Sequence, residues 1–538
     1  MAESVDPVVI AIVVIYLIAV VVIGYYSRLR LKSAMDYYVA GRRIGSVVNG
    51  LALESTYLSP ASMLGLPAFI FIIGYPFWWA MVAIICGMPI ATLLTASALR
   101  KYAPVSFADY YADRYGDERL RWWIGIIVIV GSILYITLSL VGMALFMVAI
   151  LKIPYVIALV IGTIIVMFYV VYGGMIATSW NAAMQAVVMS LAAIIAAIAI
   201  VWQLGGFEGV YFAAKQSHVK IWNTPADAPD FSHALLAGSW IAVIGWYFVW
   251  HYGFATMPYT VVRFFTVMDT KTARRSIFWC SLIGGAFYVS LQLIGITAKY
   301  LIEKSHPIAV AAGGNMTATQ VLAAIQKTYG IGTVTDYSMI AAVEALGNPV
   351  ILGILCAGGL AIAMSTAAGW AVVVNTVIAR DWMVKLLKSK KAEQKPIFYA
   401  RLVAFIFLLV SFIIAISPPA LVLDLSGWAF IVIICSLGPG LILGLWWKRA
   451  TKTAMWVTAI VMFILSMIAW TRAYFILGHH ARFFLNDILF GNPNVLVTPH
   501  QVWTIPVGFL VFIIVSLLTK PPEEERIQKY CVELTKEV

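Results

Sequence analysis

The stretch 49–65, NGLALESTYLSPASMLG, sets a carboxylate (Glu54), five hydroxyls (Ser55, Thr56, Tyr57, Ser59 and Ser62) and Pro60 inside an otherwise apolar run. Hydroxyl and carbonyl oxygens are the ligands that hard cations prefer. Proline removes a backbone donor and frees an upstream carbonyl, which at membrane depth is tolerated only where the backbone meets protein, water or a ligand. A break near Tyr57 to Pro60 is therefore expected. Of the acidic residues, only Glu54 and Asp424 fall inside long apolar runs; an intramembrane charge costs about 2.5–3.5 kcal/mol on insertion scales. Glu54 reads either as a proton or cation carrier, or as a carboxyl kept neutral or paired near a helix end. Asp424 reads as structural, near the outer surface. A second run, IAVIGWYFVWHYGFATMP, carries Gly245, Gly253 and Pro258 and is expected to be interrupted in the same way. Its His251 is able to donate to a carboxylate or relay protons, or to be a satisfied packing residue. Arg263, just beyond, fits a basic helix end or a gate ion pair with a loop acid.

The elements that must position these residues are membrane helices. The chain has 538 residues, 62% hydrophobic and 11% charged, against about 25% charged in soluble domains, and its mean hydropathy is +0.94. That composition excludes an ordinary soluble enzyme. About 20 apolar residues make one crossing, which predicts about thirteen: 7–28, 46–73, 76–99, 122–149, 155–172, 182–203, 236–258, 276–300, 347–378, 397–417, 420–446, 453–473 and 502–519. Continuous apolar runs must be helices, because lipid offers the backbone no hydrogen bonds. With the N-terminus outside, 28 of the 36 Lys and Arg fall in connections assigned to the cytoplasm. One misplaced crossing would invert every later loop, so this asymmetry supports an odd count with the C-terminus inside. The apolar start lacks a basic leader and a cleavage pattern, so it reads as a retained first helix.

The net charge of +12 reads as basic loops beside anionic lipid, not as nucleic-acid binding. Cys86, Cys280, Cys356, Cys435 and Cys531 form no CxxC pair, so neither a disulfide framework nor a zinc site is indicated. No His, Cys and acid cluster with ligand spacing suggests a membrane enzyme, and no cofactor is expected. The tail beyond 520 is too short for a signalling domain, which disfavours a sensor. The arginines within the predicted crossings, Arg28, Arg401 and Arg472, stand near their ends and none lies in a crossing's middle, so a small monoanion suits the interior better than a dicarboxylate or phosphate. Two interrupted helices separated by five crossings are what an inverted five-helix repeat requires, with the substrate and ion sites between them.

The stretches DYYVAGRRIG, NGLALESTYLSPASMLG, YGGMIATSWNAAMQ, MPYTVVRFFTVMDTKTARRS, GGNM and LGPGLILGLWWKRAT stand in an order similar to the sodium:solute symporters, and within them the acetate permease branch of monocarboxylate transporters. The resemblance implies an all-α polytopic protein with a LeuT-type five-plus-five inverted repeat and flanking helices. Residues 1–45 would hold the first helix and a basic loop, 46–450 the transport core, and 451–538 two further helices and a short tail. It implies a Na+-coupled symporter of a small organic anion, a short monocarboxylate such as acetate, in the plasma (inner) membrane. H+ coupling, or another small solute such as an amino acid or sugar, are the alternatives. Carried over residue by residue, the sodium ligands would be the hydroxyls of Ser365 and Thr366 and the carbonyls of Ser55, Leu58 and Ile362. Ser and Thr in membrane helices also commonly bond back to their own helix. Tyr57, Ser59 and Ser62 would face Trp250 and His251 around the substrate, with Glu54 as a proton site. Ala182 stands where many members have an aspartate for a second sodium ion, so a second sodium site is not expected. Ala368, Gly369 and Trp370 also depart from the family pattern.

Overall fold

A computed structural model describes residues 5–28, 34–74, 77–172, 175–217, 240–475 and 501–536. Among them the regular elements are all helical. Those that build the site and its frame are α1 (Pro7–Arg28), α2 (Ser46–Tyr57), α3 (Leu66–Ile73), α4 (Trp78–Ala91), α5 (Phe107–Tyr115), α6 (Leu120–Leu151), α7 (Tyr155–Tyr172), α8 (Met175–Gln203), α9 (Trp240–Thr256), α10 (Pro258–Phe265), α11 (Thr270–Ser305), α12 (Ser338–Glu344), α13 (Pro349–Asn375), α14 (Pro396–Ile416), α15 (Val422–Trp446), α16 (Lys452–Phe475) and α17 (Gln501–Leu518). Eight helical runs among the described residues are long and apolar enough to cross a bilayer, and the bent pair Ser46–Tyr57 with Ala61–Ile72 makes a ninth. The other four expected crossings coincide with shorter apolar helices at Tyr155–Phe168, Lys452–Ile468 and Thr504–Leu518, and with α9. The crossing expected at 236–258 begins in residues outside the described set.

The packing pairs reveal an internal two-fold relation. One half contains α2 with α3, then α4, α6, α7 and α8; the other contains α9 with α10, then α11, α13, α14 and α15. α8 packs on α13 as α15 packs on α6, and α2 packs on α11 as α9 packs on α4. α6 meets α7 as α13 meets α14, and α2 meets α8 as α9 meets α15. Exchanging the halves turns each pair into its counterpart, and the α6–α13 pair into itself. Five crossings per half bring the two halves into the bilayer from opposite sides, so the repeat is inverted. Close backbone approach makes this possible where no hydrophobic force drives helices together. A Cβ on Gly359 of α13 would stand 2.2 Å from the Phe146 ring of α6, and one on Gly142 of α6 would stand 2.4 Å from Pro60 Cβ.

The basic connections meet at one end of the bundle, the basic face. Asp109 Oδ1 accepts from Arg121 (2.6 Å), Arg380 (3.1 Å) and Lys385 (3.3 Å), while its Oδ2 accepts the N–H groups of Val105 and Ser106 that lead into α5. Burial opposes the charge on Asp109, but the Arg380 and Arg121 guanidiniums outweigh it and hold the carboxyl well below the usual carboxylate range. The segment 520–536 folds back onto this face, where Arg526 donates to Asp113 O at 2.6 Å and Tyr530 packs edge-on against Tyr102.

At the opposite end, Glu344 receives Lys152 Nζ at 2.7 Å and the Tyr337 hydroxyl at 2.9 Å, with His306 Nε2 at 3.4 Å. Burial is again outweighed, here by Lys152 and His306, and the Glu344 pKa is held at about 2. Asp336 is fully buried. Its Oδ2 accepts the Val422 N–H that opens α15 at 3.2 Å, and its Oδ1 has no partner among the described residues. Burial, helped by Asp424 in the first turn of α15, pushes the Asp336 pKa up to about 7. Because the unfolded value is near 3.9, the folded chain binds this proton more tightly, so stability falls as pH rises from about 4 to about 7 and is level above that. Asp336→Asn keeps the acceptor and removes the charge. The melting temperature of the detergent-solubilised variant should exceed that of the parent at pH 8, and by a clearly smaller margin at pH 5. An equal gap at both values would remove Asp336 as the source.

Candidate functional site

The first break arises where Pro60 supplies no N–H and biases the residue before it away from helical geometry. Leu58 is extended (φ −64°, ψ 133°), the segments on either side meet at 59°, and the chain resumes through a π turn at Ala61–Gly65. The N–H groups of Ser62 and Met63 both return to Ser59 O, at 2.8 and 3.1 Å, which leaves the Leu58 carbonyl without its usual partner. That carbonyl turns to α13. The second break falls at Met257 (φ −68°, ψ 128°), immediately before Pro258 opens α10. Both interruptions thus stand where the prolines predict them.

Across the first break, Ser365 Oγ lies 2.8 Å from Ser55 O and 3.0 Å from Ile362 O, and Thr366 Oγ1 lies 2.9 Å from Leu58 O and 2.8 Å from Ile362 O. All five residues are buried. A hydroxyl carries one proton, so two protons serve four oxygen–oxygen contacts and the surplus lone pairs converge on one small volume. Back-bonding to the helix and contact with the broken segment therefore coexist in Ser365 and Thr366. Such a neutral, oxygen-only set matches a hard monovalent or divalent cation and not a transition metal. Beside it, Glu54 is fully buried, accepts from Ser190 Oγ of α8 at 2.8 Å through Oε1, and leaves Oε2 without a partner among the described residues.

Of the expected substrate residues, Tyr57 and Trp250 meet edge to face, with ring centroids 6.0 Å apart, and Tyr57 stacks on Phe254. Ser62 Oγ lies 3.2 Å from the Tyr288 hydroxyl of α11, and Ser59 meets Tyr135 of α6. His251 is placed elsewhere. Adjacent helical residues point about 100° apart, and the His251 ring stacks on Tyr247 with Nδ1 2.7 Å from Tyr247 O. No described contact joins it to Tyr57.

An aromatic cluster went unread in the sequence. Trp250 packs on Phe430 of α15 at 5.2 Å, Phe430 on Tyr135 at 5.7 Å, and Tyr135 on Trp370 of α13 at 4.9 Å. The Tyr57 hydroxyl and the indole N–H groups of Trp250 and Trp370 are buried with no partner among the described residues. Trp and Tyr are also common at membrane surfaces, so residue type alone does not mark an interior cluster. Their signal was position, since Trp370 follows Thr366 by about one turn. Arg263 also corrects the sequence reading: it is 1% exposed, not at a solvated helix end, and donates from Nε to Thr56 Oγ1 at 2.9 Å and from Nη1 to Ser179 Oγ at 3.1 Å.

The profile of the sodium:solute symporter family matches residues 37–461. The chain belongs to this family. Membership in a family of symporters makes it a multi-pass transporter and not an enzyme. Among solved structures, the substrate-bound, outward-open state of a Na+-coupled sialic acid symporter aligns over 96% of this chain and 99% of its own, with a TM-score of 0.72 and 18% identity. A manganese transporter of Eremococcus coleocola aligns over 91% and 97%, with a TM-score of 0.52 and 12% identity. These likenesses concern the fold. The sodium:solute symporters and this chain share the span from the basic loop before α2 to the first half of α16, which encloses both broken helices and the oxygen cluster.

Proposed function

We propose that the chain couples Na+ entry to uptake of a small organic anion, a short monocarboxylate such as acetate, with the basic face cytoplasmic in the plasma (inner) membrane, the N-terminus outside and the C-terminus inside. The observation that carries this reading is the convergence of the Ser55, Leu58 and Ile362 carbonyls with the Ser365 and Thr366 hydroxyls at the first break. A Na+ held there ties the last turn of α2 to α13. The unpartnered donors of Tyr57 and Trp250, in the same region of the break, suit a carboxylate, which is an acceptor only. Arg263 gives hydrogen bonds to Thr56 and Ser179, so the anion relies on neutral donors, as a small monoanion permits. With Ala182 in place of a carboxylate, one Na+ accompanies one monoanion and the cycle moves no net charge.

A second reading is favoured by the unpartnered Oε2 of Glu54: a proton carried there replaces Na+ as the driving ion. Uptake of labelled acetate, propionate, lactate and pyruvate into proteoliposomes, under an imposed Na+ gradient and separately under a pH gradient, distinguishes them. Several-fold stimulation by Na+ is expected. Stimulation by the pH gradient alone selects the Glu54 reading, and stimulation by neither removes symport. Displacement of the label by amino acids or sugars, and not by monocarboxylates, would change the cargo.

A further inference from the structure

We infer that Arg263 is the positioning residue that holds the last turn of α2 in place at the cation site, so that ion release toward the basic face requires its hydrogen bond to Thr56 to break. This rests on the cation-site reading above.

The turn that supplies the Ser55 and Leu58 carbonyls is gripped from two sides. On one side stand Ser365 and Thr366 of α13, together with Gly369, where a Cβ would lie 3.0 Å from Thr56 Cγ2. On the other stands Arg263 of α10. Thr56 Oγ1 gives its own proton to Ala52 O at 2.6 Å, so toward Arg263 Nε it acts as acceptor, which suits a guanidinium that only donates. Nη1 extends the grip to Ser179 of α8, and Thr266 Oγ1, just beyond α10, donates to Asn49 Oδ1 of α2 at 3.1 Å. One buried side chain therefore pins three helices beside the ligand-bearing turn. The break at Leu58 and Ser59 lets α2 pivot without breaking the helical hydrogen bonds of α3. One hydrogen bond from a charged donor shifts a two-state equilibrium by about ten- to a hundredfold, enough to bias α2 toward its closed position and little enough to be reversed in a transport cycle.

The chain contains its own reporter. Gly50 of α2 packs directly on Ser276 and Trp279 of α11, and a Cβ on Gly284 of α11 would lie 4.0 Å from Glu54 Cγ, so the fully buried Cys280 sits beneath α2 on the face between these contacts. Departure of α2 uncovers it. The test uses the full-length protein in proteoliposomes with Cys280 as the single cysteine, and measures alkylation by N-ethylmaleimide in Na+ and in K+. A matching protein retaining only Cys356, buried in α13, reports general loosening.

Na+ is expected to slow alkylation of Cys280 in the parent. Arg263→Gln should make that alkylation about tenfold faster in K+ and weaken the protection by Na+, while Cys356 reacts at the parental rate; the factor is the loss of one charge-assisted hydrogen bond. Thr56→Val removes the acceptor with little change of shape, should act in the same direction, and should add little to Arg263→Gln, because both remove one bond. If Arg263→Gln fails to insert, Thr56→Val decides alone. Parental alkylation of Cys280 in the variants, or equal acceleration of Cys280 and Cys356, overturns the role of Arg263. Absence of Na+ protection in the parent overturns the cation-site reading instead.

Discussion

Replacing Ser365 and Thr366 together by alanine is expected to lower Na+-stimulated uptake by at least a hundredfold while leaving the protein inserted. The two hydroxyls are two of the five oxygens that converge at the first break, and each also faces a carbonyl of the broken segment at 2.8–2.9 Å. Alanine takes two ligands from the cation and leaves the Ser55 and Leu58 carbonyls facing methyl groups. At about 1.5–3 kcal/mol for each interaction with a charged group, the two losses amount to about two to four orders of magnitude in cation affinity. The frame should survive, because the α6–α13 crossing depends on small residues such as Gly359, about two helical turns before the pair. Thr366→Ser retains the oxygen and loses only a methyl group, so it should keep most of the Na+ response. The measurement is uptake into proteoliposomes as a function of Na+ concentration. If the double variant keeps the parental Na+ dependence, the five oxygens are not the coupling site.

What could be read from the residues was local. Pro60 and Pro258 announced the two breaks, because the loss of an N–H and the bias imposed on the preceding residue act within one turn. The apolar runs and the Lys/Arg asymmetry announced the crossings for the same reason. The pairing of Ser365 with Ser55, 310 positions apart, is not written in any local pattern, and it was expected only through the family resemblance. Other long-range facts had no such aid. Arg263 was counted among the basic residues of a connection, and a charge count is the same whether a guanidinium faces water or is buried against Thr56. His251 and Trp250 were grouped because they are neighbours in sequence, yet helical geometry sends them in different directions. Tyr135, Trp370 and Phe430 lie on three helices from both halves of the repeat, so their cluster exists only once the halves have packed together.

The same logic gives the largest expected loss of stability, at Asp109. Asp109→Ala should destabilise the folded protein by about 3–5 kcal/mol, the scale of breaking a buried ion pair from one side. Arg121 is 1% exposed and meets buried Asp109 at 2.6 Å; Glu118 stands equally close but is 63% exposed, and Asp381 is farther at 3.6 Å. Alanine leaves that guanidinium buried, frees Arg380 and Lys385 to repel it, and also removes the acceptor that Val105 and Ser106 use to enter α5. Asp109→Asn keeps an acceptor for those N–H groups and loses only the charge, so its loss should be smaller. The consequence reaches the candidate cation site through α13, whose C-terminal half carries Ser365 and Thr366 and whose π-helical continuation at Thr376–Leu386 carries Arg380, Asp381 and Lys385. A loosened α13 should therefore weaken Na+ affinity in the surviving folded fraction. Thermal unfolding of the purified variants in detergent, followed by Na+ titration of uptake, measures both effects. A melting temperature for Asp109→Ala equal to that of the parent would show that Arg121 is compensated by Glu118 and Asp381 without it.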